Sequence, residues 1–277
     1  MNIKDIIVDS AQYPLSDLKK FFILVIILLI TQLWVLASSF DAAQLLIWIL
    51  MLTGFIAGFL VNGYFFRIIE YALEDRVVLP DFTDWSTMFL DGLKVFLVEV
   101  LYLLPAILVA IFLLISSAGY LAAEGFELNA LLLSLAQSKI LELILNVIII
   151  LTQTHLPPEY LYGLVYLLVI SPLFFLALGL MANYDGELRA AFRFREIFND
   201  IAGIGWIKLI TWYLVTGLVV LLTIVVLIVL LSYILSVVGL DIFYTVADVL
   251  YYVILAYFYL FLARSLALIY ISGQKSL

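Results

Sequence analysis

The sequence contains no cysteine, which excludes disulfides, thiolate metal ligands and a cysteine nucleophile. It has one histidine, His155, so a multi-histidine metal site or a Ser-His-Asp triad has no members to draw on. Charge is scarce as well. Only 12% of the 277 residues are Asp, Glu, Lys or Arg, about half the usual share of a soluble domain. The formal net charge of −8 argues against a nucleic-acid partner, which asks for a clustered basic surface. No nucleotide loop, metal-ligand spacing or nucleophile constellation occurs, so neither a cofactor nor a catalytic residue is expected.

What is abundant is apolar sequence. Hydrophobic residues make up 67% of the chain, and runs of 18 or more recur along its length, the pattern of a polytopic membrane protein. Runs such as FFILVIILLI do not alternate as barrel strands do, so the spans are helical. The fold class expected is therefore all-α: a polytopic helical membrane bundle with six transmembrane helices, or seven, interfacial amphipathic helices and a weak internal repeat. It forms one integral membrane domain over 1–277, with halves of about 1–118 and 119–277.

The spans are read at Phe21–Ser39, Ala43–Phe66, Val95–Ser116, Tyr160–Met181, Ile207–Ser232 and Ile242–Ala263. Residues 1–18 open with a short amphipathic helix that puts Ile3, Ile6, Ile7 and Ala11 on one face; Pro14 ends it, and Ser16 or Asp17 caps the next helix. Two interfacial helices are expected. The first covers Arg67–Val78 and is followed by a short helix through Trp85 and Met88 and a turn at Asp91–Gly92. The second covers Gly186–Asp200, capped by Asp185. Arg67 and Glu74 are seven residues apart, as are Arg189 and Glu196, which suggests the repeat.

The segment 129–152 is ambiguous. It is long enough to cross, yet Ser134, Ser138, Glu142 and Asn146 form a polar ladder along it. Charge arbitrates, because Lys and Arg near span ends stay in the cytoplasm. With six spans, Lys4, Lys19, Lys20, Arg67, Arg76, Lys94, Arg189, Arg193, Arg195, Lys208, Arg264 and Lys275 share one side and only Lys139 lies opposite. With seven, they divide about evenly. Six spans is the better reading, with both termini cytoplasmic in the cell membrane and the repeat parallel. Seven would give the inverted repeat of many transporters.

Gly54, Gly58 and Asn62 recur every four residues and form a helix-packing seam. It serves either packing within the chain, the favoured reading, or a homo-oligomer. Arg189, Arg193 and Arg195, with Arg67, are candidates for contact with anionic lipid headgroups or a partner membrane subunit. Glu99, just inside a span, is read as paired with Lys94 or snorkelling. The acidic run Glu70, Glu74, Asp75, Asp81, Asp84 and Asp91 is read as a solvated face with helix caps rather than a metal site.

Several stretches carry a resemblance: YPLSDLKKFFIL, GYFFRIIEYAL, LPDFTDWSTMFLDGLK, LYLLPAI and ANYDGELRAAFRFREI. They resemble the domain-of-unknown-function 4013 family of archaeal and bacterial membrane proteins, over nearly the whole chain. The resemblance implies a membrane location and an archaeal source, and supplies no catalytic residues. Two functions follow from these readings: a non-enzymatic membrane protein that contacts lipid or a partner through its interfacial helices, or a transporter of small solutes or lipid.

Overall fold

The computed structural model describes residues 1–39, 43–123, 158–238 and 240–274. All regular structure in them is helical. The helices are α1 (Ile3–Gln12), α2 (Leu18–Thr31), α3 (Leu33–Ser39), α4 (Gln44–Leu73), α5 (Trp85–Ala123), α6 (Pro158–Asn183), α7 (Phe194–Ile204), α8 (Trp206–Val238) and α9 (Leu240–Gln274), with 3₁₀ turns at Tyr13–Leu15 and Leu188–Phe192. Among the described residues, three helical stretches are long and apolar enough to cross a membrane: Gln44–Leu73, Trp206–Leu227 and Leu250–Gln274, with mean hydropathies of 2.2, 2.5 and 1.9. The ladder at 129–152 and His155 lie outside the described residues, as does the choice between six and seven spans that turns on them.

Two compact units emerge, one of residues 1–98 and 172–277 and the other of 99–171. In the first, α9 is central. It packs against α1, α2, α4, α7 and α8, and 67% of its most apolar window is buried, against 22% in α4 and 17% in the α8 span. Its small residues Ala256, Ala263 and Ala267 let neighbours approach, and Leu260 with Leu24, Val25, Val61 and Tyr64 fills the core. By contrast α8 exposes Ile210, Leu214, Leu218, Leu221, Val225 and Val229. A strip of that length is untenable in water and natural against acyl chains. The second unit holds the rest of α5, which stays helical through Pro105, and the start of α6.

Four expectations from the sequence need correction. The first span is broken: the backbone at Gln32 departs from helical geometry (φ −117°, ψ 5°) and separates α2 from α3. Arg67 opens no separate interfacial helix, because α4 runs unbroken through it to Leu73. Asp91–Gly92 is no turn either, and α5 is continuous from Trp85. The glycine serves close packing instead. A Cβ at Gly92 would strike the Phe59 carbonyl, and one at Gly63 the Met88 carbonyl, so α4 and α5 cross backbone to backbone. Finally, Asp185 ends α6 rather than starting a helix, and 188–192 is 3₁₀ before α7 begins.

The two connections nevertheless begin alike. Asp75 adopts a left-handed conformation (φ 59°) after α4, and the Arg76 N–H bonds back to the Tyr71 carbonyl at 2.9 Å. Asp185 (φ 51°) follows α6, and the Gly186 N–H returns to the Met181 carbonyl at 3.0 Å. Both are left-handed helix terminators, at a residue type that tolerates this geometry better than most. Beyond them the connections diverge: 74–84 is irregular, whereas 188–204 is helical.

Candidate functional site

One end of the first unit gathers the polar chemistry. Its frame is the irregular loop 74–84, whose carbonyls have no strand or helix to satisfy them and are instead held by side chains. The Tyr13 hydroxyl donates to the Val78 carbonyl (3.2 Å), Lys20 Nζ to Leu79 (2.6 Å) and the Tyr64 hydroxyl to Pro80 (3.0 Å). Arg67 donates to the carbonyls of Thr83 and Asp84 and to the Thr87 hydroxyl. Its guanidinium therefore works within the chain and fixes the start of α5.

Arg264 completes the frame. It lies within α9, 5% exposed. Nε pairs with Asp9 of α1 at 2.8 Å, Nη1 donates to the Arg76 carbonyl at 3.0 Å, and the guanidinium lies 5.2 Å from the Tyr13 ring centre. α1 itself starts with a reciprocal cap between Asn2 and Asp5 and buries Ile6 and Ser10, close to the face read from sequence. The sequence reading ends the last span at Ala263, one residue before this arginine. Its real signal was available, since the apolar pattern resumes as SLALIYIS after it, and a cation inside such a run calls for a partner. Which partner could not be read, because Asp9 is 255 residues away.

The acidic run disperses onto separate partners. Asp81 pairs with Lys20 at 2.8 Å, Asp91 with Lys94 at 2.9 Å and Glu74 with Arg76 at 2.8 Å, while Asp75 and Asp84 occupy left-handed turns. Burial disfavours the Lys20 charge, but the Asp81 hydrogen bond and carboxylate, with Asp17 nearby, outweigh it and raise its pKa. The same hydrogen bond lowers that of Asp81. The pair therefore contributes between those limits: its contribution fades as pH falls through the depressed Asp81 value or rises through the elevated Lys20 value. Being exposed on the Asp81 side, it contributes little net stability.

The second connection lies at this same end. The tight turn at Gly186 approaches Lys94 and Phe66, and Gln274 Nε2 reaches Asn183 at 3.3 Å. Here the arginine cluster splits. Arg193 is half-buried and engaged, pairing with Glu187 at 3.1 Å and Glu196 at 3.5 Å and stacking on Tyr184 with 4.3 Å to the ring centre. The Tyr184 hydroxyl donates to Glu196, which holds its pKa above the ordinary value. Arg189 and Arg195 are exposed and form no ion pair among the described residues. Beside them α7 turns Ile197, Ile201 and Ile204 inward and leaves Phe194 and Phe198 half exposed, followed by exposed Trp206 and Ile207 at the start of α8. Asp200, on the inner side, has one carboxylate oxygen buried without a hydrogen bond, and burial raises its pKa.

Of the proposed seam, Gly54 meets the Thr31 backbone of α2, a Cβ there falling 2.5 Å from the carbonyl oxygen, whereas a Cβ at Gly58 would meet nothing within 4 Å. Asn62 is half-buried. The closest backbone approaches on α4 are at Gly63, one residue off the predicted stripe, and opposite it at Gly92. Glu99 has no ion pair to Lys94, which is held by Asp91. Among the described residues, no group of three or more carboxylates and histidines is arranged to hold a metal ion.

No curated protein and no solved structure matches this chain. A family model, described as protein of unknown function (DUF4013), matches residues 46–233. This is narrower than the resemblance read from the sequence: it includes nearly all of α4, the 74–84 loop and the α6–α7 connection, and leaves out the opening YPLSDLKKFFIL, the end of α8 and all of α9. With the match covering more than half of its length, the chain belongs to the domain-of-unknown-function 4013 family.

Proposed function

We propose that this is a non-enzymatic, multi-pass protein of the cell membrane whose polar end faces the cytoplasm and engages anionic lipid headgroups through α7 and the turn before it. The observation that carries the reading is that Arg189 and Arg195, exposed and without an ion pair among the described residues, stand next to exposed Phe194, Phe198 and Trp206 in the same segment. Aromatic rings belong at headgroup depth, and cations near an anionic leaflet contribute about 1 kcal/mol each. The apolar strip of α8 starts at the same place and continues toward the membrane interior.

Orientation has its own support. Arg264 of α9 joins α1 to the 74–84 loop, the turn at Gly186 lies against Lys94 and Phe66, and eleven of the twelve basic residues assigned to one side by sequence fall on these segments or on the helices adjoining them, Lys275 lying outside the described residues. With the 74–84 loop and the α6–α7 connection at one end of the first unit, the proposal keeps the six-span reading. That favours a parallel arrangement of the two connections over the inverted repeat on which a transporter reading leans.

Purification with native lipid tests the headgroup contact. Arg189→Gln with Arg195→Gln is expected to reduce co-purified phosphatidylglycerol several-fold, whereas Arg193→Gln, whose charge is already compensated by two glutamates, leaves most of it. Unchanged lipid in the double variant contradicts the reading, and loss of a co-purified protein subunit instead would reassign the surface to a protein partner.

A further inference from the structure

A groove of about 380 Å³ runs between α2 and α4, at the lower end of the ~300–1,000 Å³ typical of small-ligand sites. Ile23, Ile26 and Ile30 form one wall, Ile56 and Leu60 the other, and Trp85 closes one end. Ala57 leaves its floor unfilled. The lining is wholly apolar: the one hydroxyl present, of Thr53, donates back to the Ile49 carbonyl at 2.9 Å. From Ile23 to Ile30 the groove follows α2 for about 10 Å at the helical rise, room for part of one acyl or isoprenoid chain.

Its setting indicates what fills it. The groove opens on exposed Ile26 and Ile56, the second on a helix long and apolar enough to span. Trp85 is held over its end by a stack of rings, Tyr64 on Phe82 (4.1 Å) and Phe82 on Trp85 (6.0 Å), at the polar end where a tryptophan marks headgroup depth. Beyond that end, one helical turn before Ile23 on the same strip, stands Lys19. It is exposed and forms no ion pair among the described residues, while the adjacent Lys20 is taken by Asp81 and Asp17. We propose that the α2–α4 groove seats one chain of an anionic membrane lipid whose headgroup rests at Lys19 beside Trp85. The proposal rests on the membrane reading above but on none of its arginines.

The test is photolabelling of the full chain in phosphatidylcholine vesicles that contain a small fraction of phosphatidylglycerol with a diazirine in its acyl chain. Adducts are expected to concentrate on 23–30 and 53–60, above the density on the outer face of α8, which serves as an internal reference for ordinary surrounding lipid. Excess unlabelled phosphatidylglycerol should compete, and phosphatidylcholine should compete about five-fold less well, the factor that one cation near an anionic headgroup supplies. Ile26→Trp, a substitution at an exposed position that fills the groove, should lower the groove adducts to the α8 level; Lys19→Gln should abolish the preference for phosphatidylglycerol and keep the adducts. Equal labelling of groove and α8 would overturn the proposal, and equal competition by the two lipids would overturn its headgroup assignment. The Arg189→Gln, Arg195→Gln variant should leave the groove adducts unchanged. If instead they vanish there, the label reports general recruitment of anionic lipid and the groove is no site.

Discussion

At the scale of single residues, the most consequential group is Arg264. A guanidinium in an apolar helix is tolerated only with its donors occupied, and here they are occupied by Asp9 from the N-terminal helix and by the Arg76 carbonyl. The N-terminal helix is thus more than an amphipathic leader, since it supplies the counter-charge for a helix almost the whole chain away. Removing one partner of a buried pair costs about 3–5 kcal/mol. Asp9 keeps 38% of its side-chain surface exposed, so Asp9→Asn belongs at or below the lower end of that range. Thermal unfolding in detergent checks this: Asp9→Asn should lower the midpoint clearly, and adding Arg264→Met should recover part of the loss because no unpaired charge remains. An Asp9→Asn protein as stable as the parent would contradict the role given to the pair.

At the scale of elements, packing of α4 against its neighbours turns on which glycines are covered. Alanine is the better helix former by about 0.5–1 kcal/mol. Gly58→Ala, where the added methyl meets nothing within 4 Å, should therefore stabilise by about that amount. Gly63→Ala and Gly92→Ala should destabilise despite the same gain, because the new methyl meets a backbone carbonyl of the facing helix. Unfolding of the three variants side by side checks the contrast; a stabilised Gly92→Ala would remove the close crossing of α4 and α5. These glycines also mark the limit of what could be read from the chain. Apolar runs foretold helices α4, α5, α6, α8 and α9 because hydrophobicity is a local property. The stripe Gly54, Gly58 and Asn62 was placed one residue off the tightest contacts because spacing alone does not say which face meets a neighbour. Asp91–Gly92 read as a turn because glycine is ambiguous between a bend and close packing until the facing helix is known. Asp185 likewise suits a helix start in sequence, where a left-handed terminator looks the same.

At the scale of the whole molecule, polar chemistry gathers at one end of the first unit, and the proposal is that this end faces the cytoplasm. The charge asymmetry behind the orientation was legible, as basic residues cluster in the segments between apolar runs. The cross-links that hold the end together were not, because each joins residues distant in the chain: Tyr13 to Val78, Lys20 to Asp81, Arg264 to Asp9. The arginine cluster was legible as a cluster. Its division into a paired Arg193 and exposed Arg189 and Arg195 depended on the 3₁₀ turn at Leu188–Phe192, which no helical periodicity announces.

Orientation is tested most directly by thiol labelling, since the chain has no cysteine of its own. Single cysteines at Gln44, at the start of α4, and at Asn199 and Gln274, at the polar end, are all at exposed positions. The 30 residues of α4 separate the two ends by about 45 Å at the helical rise, enough to span the bilayer core. With a membrane-impermeant maleimide on intact cells, Gln44→Cys should react, while Asn199→Cys and Gln274→Cys should react only after permeabilisation. Labelling of Asn199→Cys in intact cells, with Gln44→Cys protected, would turn the molecule over and contradict the account.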